Sequence, residues 1–201
     1  MSETHRNYFN EQAPVWDEMM AHKPLERLNL IFKPLGIKKG SVILDVGTGT
    51  GVMLPLLQAI IGSSGKIVAF DIAEEMLKQA REKNGNERIE YVQGDISATL
   101  FDQHTFDEVI CHACFPHFSD KQVAVKEIAR ILKPGGRVII THLSSRNELN
   151  SMHLSLGGVV GGDVLPDEES MKIMFNKAGF KDMKVIDQED RYVITARSKV
   201  G

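Results

Sequence analysis

Two cysteines in 201 residues are too few for a disulfide framework, so the chain reads as a reduced, cytoplasmic protein that depends on a packed core rather than covalent staples. No apolar run approaches the roughly 18–20 residues a membrane span needs. The opening segment MSETHRNYFNEQ is polar, without the apolar stretch of a secretory signal. Neither sign of charge dominates: 24 basic and 27 acidic residues leave a net charge of -3, which removes the electrostatic argument for a nucleic-acid or anionic-membrane partner. Internal repeats, low-complexity tracts and long Pro/Gly/Ser linkers are also absent. What is there is ordinary globular composition, 42% hydrophobic and 25% charged, in a length that suits one domain with a substantial core.

The first forty residues read as helical. Apolar residues in YFNEQAPVWDEMM fall near helical spacing, and LERLNLIFKPLGI is a second amphipathic helix ending around Pro34 and Gly36. Residues 1–40 are therefore expected to form a helical cap or lid on a main domain spanning 41–201. In that domain short apolar runs (SVILDV, KIVAFD, RIEYVQGD, FDEVICHA, GGRVIITHL) are interleaved with the helical patterns VMLPLLQAII, AEEMLKQAREKN and DKQVAVKEIARIL. This alternation predicts βαβ units: an α/β protein with a doubly wound, mostly parallel sheet and helices on both faces. DEESMKIMFNKAGF predicts a further helix with acids at its N-terminus. KDMKVID and DRYVITARS, joined by a short turn, should pair antiparallel.

LDVGTGTG, Leu44 to Gly51, closes the first strand and opens a helix. Ligands of open α/β sheets bind at such carboxyl ends, and glycines let the backbone turn sharply and a ligand approach it. Gly47, Gly49 and Gly51 make G-x-G-x-G; the dinucleotide fingerprint would want Gly or Ala where Val52 stands, which disfavours an NAD-type oxidoreductase. Asp45 precedes the loop and suits a positively charged ligand better than a pyrophosphate. Asp71 ends the second strand, placed to accept from ribose hydroxyls, and Asp95 ends the third. A plain strand-to-helix turn would also explain the glycines, but not acids ending three successive strands.

Asp45 through Gly51, with Asp71, Gly94-Asp95, FDEVICHA and LKPGGRVIITH in order, closely resemble the class I S-adenosylmethionine-dependent methyltransferases over roughly residues 5–198. NYFNEQAPVWDEM is similar to the segment that closes over the cofactor in the subgroup that includes quinone-biosynthesis methyltransferases. The resemblance implies a Rossmann-like sheet of seven strands, the seventh antiparallel. It also implies S-adenosylmethionine as methyl donor, S-adenosylhomocysteine as product and a small-molecule acceptor. By position, Asp45, Gly47, Thr48, Gly49 and Gly51 would hold the methionine end and Asp71 the ribose. Ile72 and Met76 would flank the adenine, a task that suits adaptable Met. Asp95 would bond the adenine amino group with Ile96 beside it, and the Cys111 backbone would lie near the cofactor amino group. Tyr8, Phe9 and Trp16 read either as a lid or as a helix anchored on the core. CHAC stands where nucleic-acid and glutamine methylators often carry N-P-P-Y.

CHACFPHF, Cys111 to Phe118, holds both cysteines and two histidines. A thioredoxin-like reading of C-x-x-C needs the first cysteine at a helix N-terminus, whereas the next helix should start near Ser119-Asp120. Cys111 and Cys114 as small buried residues is the plainer reading, and His117 also reads as structural. A sharper reading joins His112 to His142, at the end of strand five, and to His153, with Cys114 or His117 as further candidates. Such a group would serve as general base, carried by His112 and His142, or as a divalent-metal site of His112, His142 and His153. His142 and His153 lie eleven residues apart, which matches no recognised metal signature. GGVVGGDVLP, Gly157 to Pro166, reads as a hinge, a mobile loop or a plain connector. The functional expectation is a methyltransferase for a small molecule; a non-catalytic module that binds S-adenosylmethionine or a metal is the alternative from another class.

Overall fold

Strand β1 (Val42–Val46) lies near the middle of a seven-stranded sheet, in the order β3-β2-β1-β4-β5-β7-β6. The computed structural model describes residues 2–20, 25–85 and 87–199; residues 21–24 of the expected cap, and 200–201 at the expected end of the main domain, lie outside the described residues. The other strands are β2 (Lys66–Asp71), β3 (Ile89–Gln93), β4 (Phe106–His112), β5 (Leu132–His142), β6 (Phe180–Gln188) and β7 (Arg191–Ser198). β1 pairs in parallel with both β2 and β4. The chain thus winds outward to β2 and β3 on one side, then returns to β4 on the other. The crevice between the carboxyl ends of β1 and β4 is the reversal point at which such sheets take ligands.

Period-two alternation sends neighbouring side chains to opposite faces. Leu44, Val46, Val109, Cys111, Val138 and Ile140 pack on one face with Val125 and Ile128 of α6 (Lys121–Ile131), Leu149 of α7 (Arg146–Leu156) and Met171 and Phe175 of α8 (Glu168–Lys177). Ile43, Ile67, Ile110, Ile139 and Val193 pack on the other with Leu28 and Ile31 of α3 (Leu25–Phe32), Leu54 and Leu57 of α4 (Leu54–Ile61) and Ala80 of α5 (Glu74–Asn84). Each such fully buried aliphatic side chain contributes on the order of 1.5–3 kcal/mol.

Helix starts are chemically marked. Ser2 accepts from the backbone N–H of His5, at the start of α1 (Glu3–Gln12); Asp120, Ser145 and Asp167 do the same for α6, α7 and α8. α1 runs through a 3-10 turn, Ala13–Val15, into the short α2 (Trp16–Met20). α3 ends in another 3-10 turn, Lys33–Leu35, stopped by Gly36 at φ +62°. The hairpin partner β7 is antiparallel to both β5 and β6 and lies between them. β7 is buried along most of its length, while β6 carries exposed Lys181, Asp182 and Asp187, which suit a sheet edge.

Candidate functional site

The loop after β1 is shaped by its glycines. Gly47, Gly49 and Gly51 have φ of +64°, +53° and +85°, a region costly for residues with a Cβ. The backbone N–H groups of Gly47 and Thr48 both donate to the Phe70 carbonyl, at 2.8 and 3.1 Å. A Cβ at Gly47 would lie 2.4 Å from that of Cys114, whereas one at Gly49 would meet nothing nearer than Trp16 Nε1 at 3.9 Å. Gly47 is therefore demanded by packing, and Gly49 presents its backbone to open space.

Two buried carboxylates flank this loop. Asp45 accepts from Thr48 Oγ1 at 2.7 Å. Burial pushes its pKa up to about 7; the Thr48 bond opposes the rise, and the charge of Asp71 adds to it. Asp71 accepts from the N–H of Gly49 and of Ala73, each at 2.9 Å. Burial raises its pKa to about 6 against those two bonds. Two acids that ionise reluctantly, side by side at the carboxyl ends of β1 and β2, form a site that gains from a cation.

A cavity of about 440 Å³ opens here, lined by Asp45, Asp71, the backbone from Gly47 to Gly51, and Met76. Phe9, Trp16, Leu28, His112, His117 and Leu143 also line it. The N-terminal helices α1 and α2 are fastened beside it. Arg6 makes a two-pronged ion pair with Glu74 at 2.7 and 2.9 Å, which holds Glu74 at about 2. Thr50 Oγ1 donates to Asp17 at 2.6 Å, and Lys83 pairs with the same carboxylate. Phe9 stacks edge-on against both Trp16, at 5.7 Å between centroids, and His117, at 5.2 Å.

The remaining residues singled out from the sequence separate spatially. Ile72, Asp95 and Ile96 line a small cleft that shares Gly47 and Asp71 with the main cavity. Cys111 is fully buried within β4, its backbone paired with Val46 and Ile140. Cys114 donates its S–H to the Val46 carbonyl at 3.0 Å, and burial together with neighbouring Cys111 holds its thiol well above the usual range. Both side chains are buried, and Cys114 also lines the cavity. His112 lines the cavity, its Nδ1 2.9 Å from Thr141 Oγ1. His142 is buried with its ring against Tyr192. His153 faces His117 with centroids 5.1 Å apart, and its Nδ1–H donates to the Asp163 carbonyl at 2.5 Å. His112, His142 and His153 are not the group with metal-ligand spacing among the described residues; His5, His117 and Asp163 are.

Sequence reasoning did not single out His5, Arg6, Asp17 or Asp163. Their partners lie 158, 68, 33 and 46 residues away, and no local pattern announces a pairing across such distances. Asp163 did stand inside a glycine-rich segment, which is the one local hint that its loop serves a site.

Residues 44–140 match the family described as a methyltransferase domain. The chain is 32% identical to the ubiquinone/menaquinone biosynthesis C-methyltransferase UbiE of Escherichia coli, covering 80% of this chain and 72% of that one. Among solved structures, a chain from the complex between the Haloferax volcanii Trm112 methyltransferase activator and a methyltransferase superposes with a TM-score of 0.80 at 19% identity, over 95% of this chain and 97% of that one. A SAM-dependent methyltransferase from Aquifex aeolicus superposes with a TM-score of 0.70 at 23% identity, over 96% of this chain and 97% of that one.

Proposed function

Because this chain belongs to the class I S-adenosylmethionine-dependent methyltransferases, we propose that its methyl acceptor is a small molecule held beside the N-terminal cap at the end of β4. The single observation that carries this reading is the cavity itself. It joins two buried, reluctantly ionised carboxylates and an open glycine backbone to the aromatic and imidazole groups of Phe9, Trp16 and His112. Its volume of about 440 Å³ falls within the roughly 300–1,000 Å³ of small-ligand pockets.

The donor set fits the cofactor. When bound, S-adenosylmethionine supplies a methyl group on a cationic sulfur, ready for displacement by a lone pair. Asp45 and Thr48, with the backbone of Gly47, Gly49 and Gly51, are assigned to the methionine end, where Asp45 offers negative charge to a cationic ligand. Asp71 is assigned to the ribose hydroxyls; its oxygens are already oriented by the Gly49 and Ala73 N–H groups. Met76 in the main cavity, and Ile72, Asp95 and Ile96 in the adjoining cleft, are assigned to the adenine, with the Cys111 backbone behind the cofactor amino group.

The protein's own task is alignment, exclusion of water and removal of a proton from the acceptor. Phe9 and Trp16 cover the cavity. His112, which lines the cavity and is oriented by Thr141, is assigned as general base; His142, the other base expected from the sequence, is buried against Tyr192 and is not among the residues lining the cavity.

The test uses tag-free protein. S-adenosylhomocysteine should bind in a calorimeter while NAD does not. Given S-adenosylmethionine labelled in the methyl group and a whole lysate, label should appear in the small-molecule extract. Label recovered only in RNA or protein, or cofactor binding with no transfer to either fraction, would overturn the assignment.

A further inference from the structure

The described residues bring two imidazoles and a carboxylate together at the edge of the cavity. His5 Nε2 lies 2.9 Å, and His117 Nδ1 2.7 Å, from the same oxygen, Asp163 Oδ2. One ligand atom from each of the three residues lies within 4.8 Å of the others. Ligand atoms around one ion bound at about 2.1 Å are separated by roughly 3.0 Å in octahedral and 3.4 Å in tetrahedral arrangement. The two distances to Asp163 Oδ2 need to open by about 0.1–0.7 Å to reach those values, and the two imidazole nitrogens already lie within 4.8 Å of each other. The three residues come from separate parts of the fold: α1, the 3-10 turn Phe115–His117 after β4, and the loop between α7 and α8.

The surroundings resemble a supporting shell. His5 Nδ1 lies 2.7 Å from Ser2 Oγ. The Asp163 carbonyl is held by His153 Nδ1–H. Metal-ligating imidazoles and carboxylates commonly have such outer partners, which fix tautomer and orientation.

The geometry points to a divalent transition-metal site formed by His5, His117 and Asp163. Two imidazole nitrogens and one carboxylate oxygen, with at least one position left for another ligand, suit Zn²⁺, Co²⁺ or Fe²⁺ and not Mg²⁺ or Ca²⁺, which prefer oxygen throughout. Binding displaces the two hydrogen bonds to Asp163 Oδ2; a neutral His5 ring shifts its proton to Nδ1 beside Ser2 and a neutral His117 ring shifts its proton to Nε2, while a ring that starts protonated releases one proton to solvent. The ion ties α1 to the α7–α8 loop. Phe9, one turn after His5 and in contact with His117, is thereby fixed over the cavity.

Co²⁺ is the probe, added to tag-free, chelator-treated protein and followed by its visible d–d absorption, with Zn²⁺ displacing it. The expected result is one equivalent bound, with no competition from millimolar Mg²⁺. Asp163→Asn and His5→Ala should each weaken binding at least 100-fold. His5 sits on the partly exposed first helix, so His5→Ala remains informative if Asp163→Asn fails to fold. Co²⁺ should also slow proteolysis within α1 in the wild type and not in His5→Ala. Absence of binding to the wild type, binding unchanged in His5→Ala, or binding lost in His112→Ala or His142→Ala instead would each overturn the assignment.

Discussion

Cofactor affinity should fall steeply as pH drops, because the two carboxylates assigned to the cofactor ionise near neutrality. In the ligand-free protein Asp45 titrates at about 7 and Asp71 at about 6. A cationic ligand favours the form in which both are ionised. Treated as independent sites, that form makes up about 0.74 of the protein at pH 7.5 and about 0.007 at pH 5.5, a factor of roughly 100 in apparent affinity. The ligand's own amino group gains a proton over the same range and offsets this by about 1.5-fold, leaving roughly 70-fold. Calorimetry in buffers of different ionisation enthalpy should detect about one proton released per cofactor bound at pH 6.5. Asp45→Asn should bind more weakly and lose only about 2.7-fold over the same range, the roughly 4-fold share left to Asp71 divided by the same offset of about 1.5-fold. An affinity that changes by less than about 3-fold between pH 7.5 and 5.5, with the fold intact by circular dichroism, would refute the electrostatic assignment of this wall. The same shifts carry a sign for stability. Both folded values lie above the ordinary 3.8, so the ligand-free fold holds more protons than the unfolded chain across that window. The contribution of these two groups is therefore full below about pH 4 and is lost as pH rises through 6 and 7; bound cofactor should reverse the trend.

Gly47→Ala forces a Cβ to 2.4 Å from that of Cys114 at a φ of +64°; strain of about 1–2 kcal/mol and overpacking of about 1–3 kcal/mol should lower the denaturant midpoint by an equivalent 2–5 kcal/mol. A loss under about 1 kcal/mol would show that the turn relaxes freely, and adding Cys114→Gly should recover the packing share but not the backbone share. His112→Ala should lower kcat by about 100- to 10,000-fold, as loss of a general base does, with S-adenosylhomocysteine affinity within about 2-fold; a full kcat in His112→Ala with a loss in His142→Ala would move the base to β5.

The order of strands and helices was legible because each segment carries its own periodicity and punctuation. LDVGTGTG read as a strand-end ligand loop because its glycines and Asp45 are contiguous, and all three glycines do adopt positive φ. Asp120 read as a helix cap for the same local reason and does cap α6, and the acid run that read as a helix start supplies Asp167 as the cap of α8. The position of β7 between β5 and β6 was not legible: a hairpin specifies antiparallel pairing but not which of its strands reaches inward. The histidines show the same limit. Strand ends placed His112 and His142 on neighbouring strands, yet one lines the cavity and the other packs on Tyr192, because adjacent strands present side chains according to register and pleat, which the chain order does not state.

The amino-acid sequence by itself determined what is local: the α/β alternation, the glycine loop, the acids at three strand ends and the family to which they belong. The tertiary structure alone decided what is distant. It raised Asp45 and Asp71 by burying them together, and it buried Cys111 and Cys114. It also brought His5 against Asp163 across 158 residues. The reason is that helices, turns and caps are built from contacts a few residues apart, whereas ionisation and ligand geometry depend on which surfaces the hydrophobic core presses together.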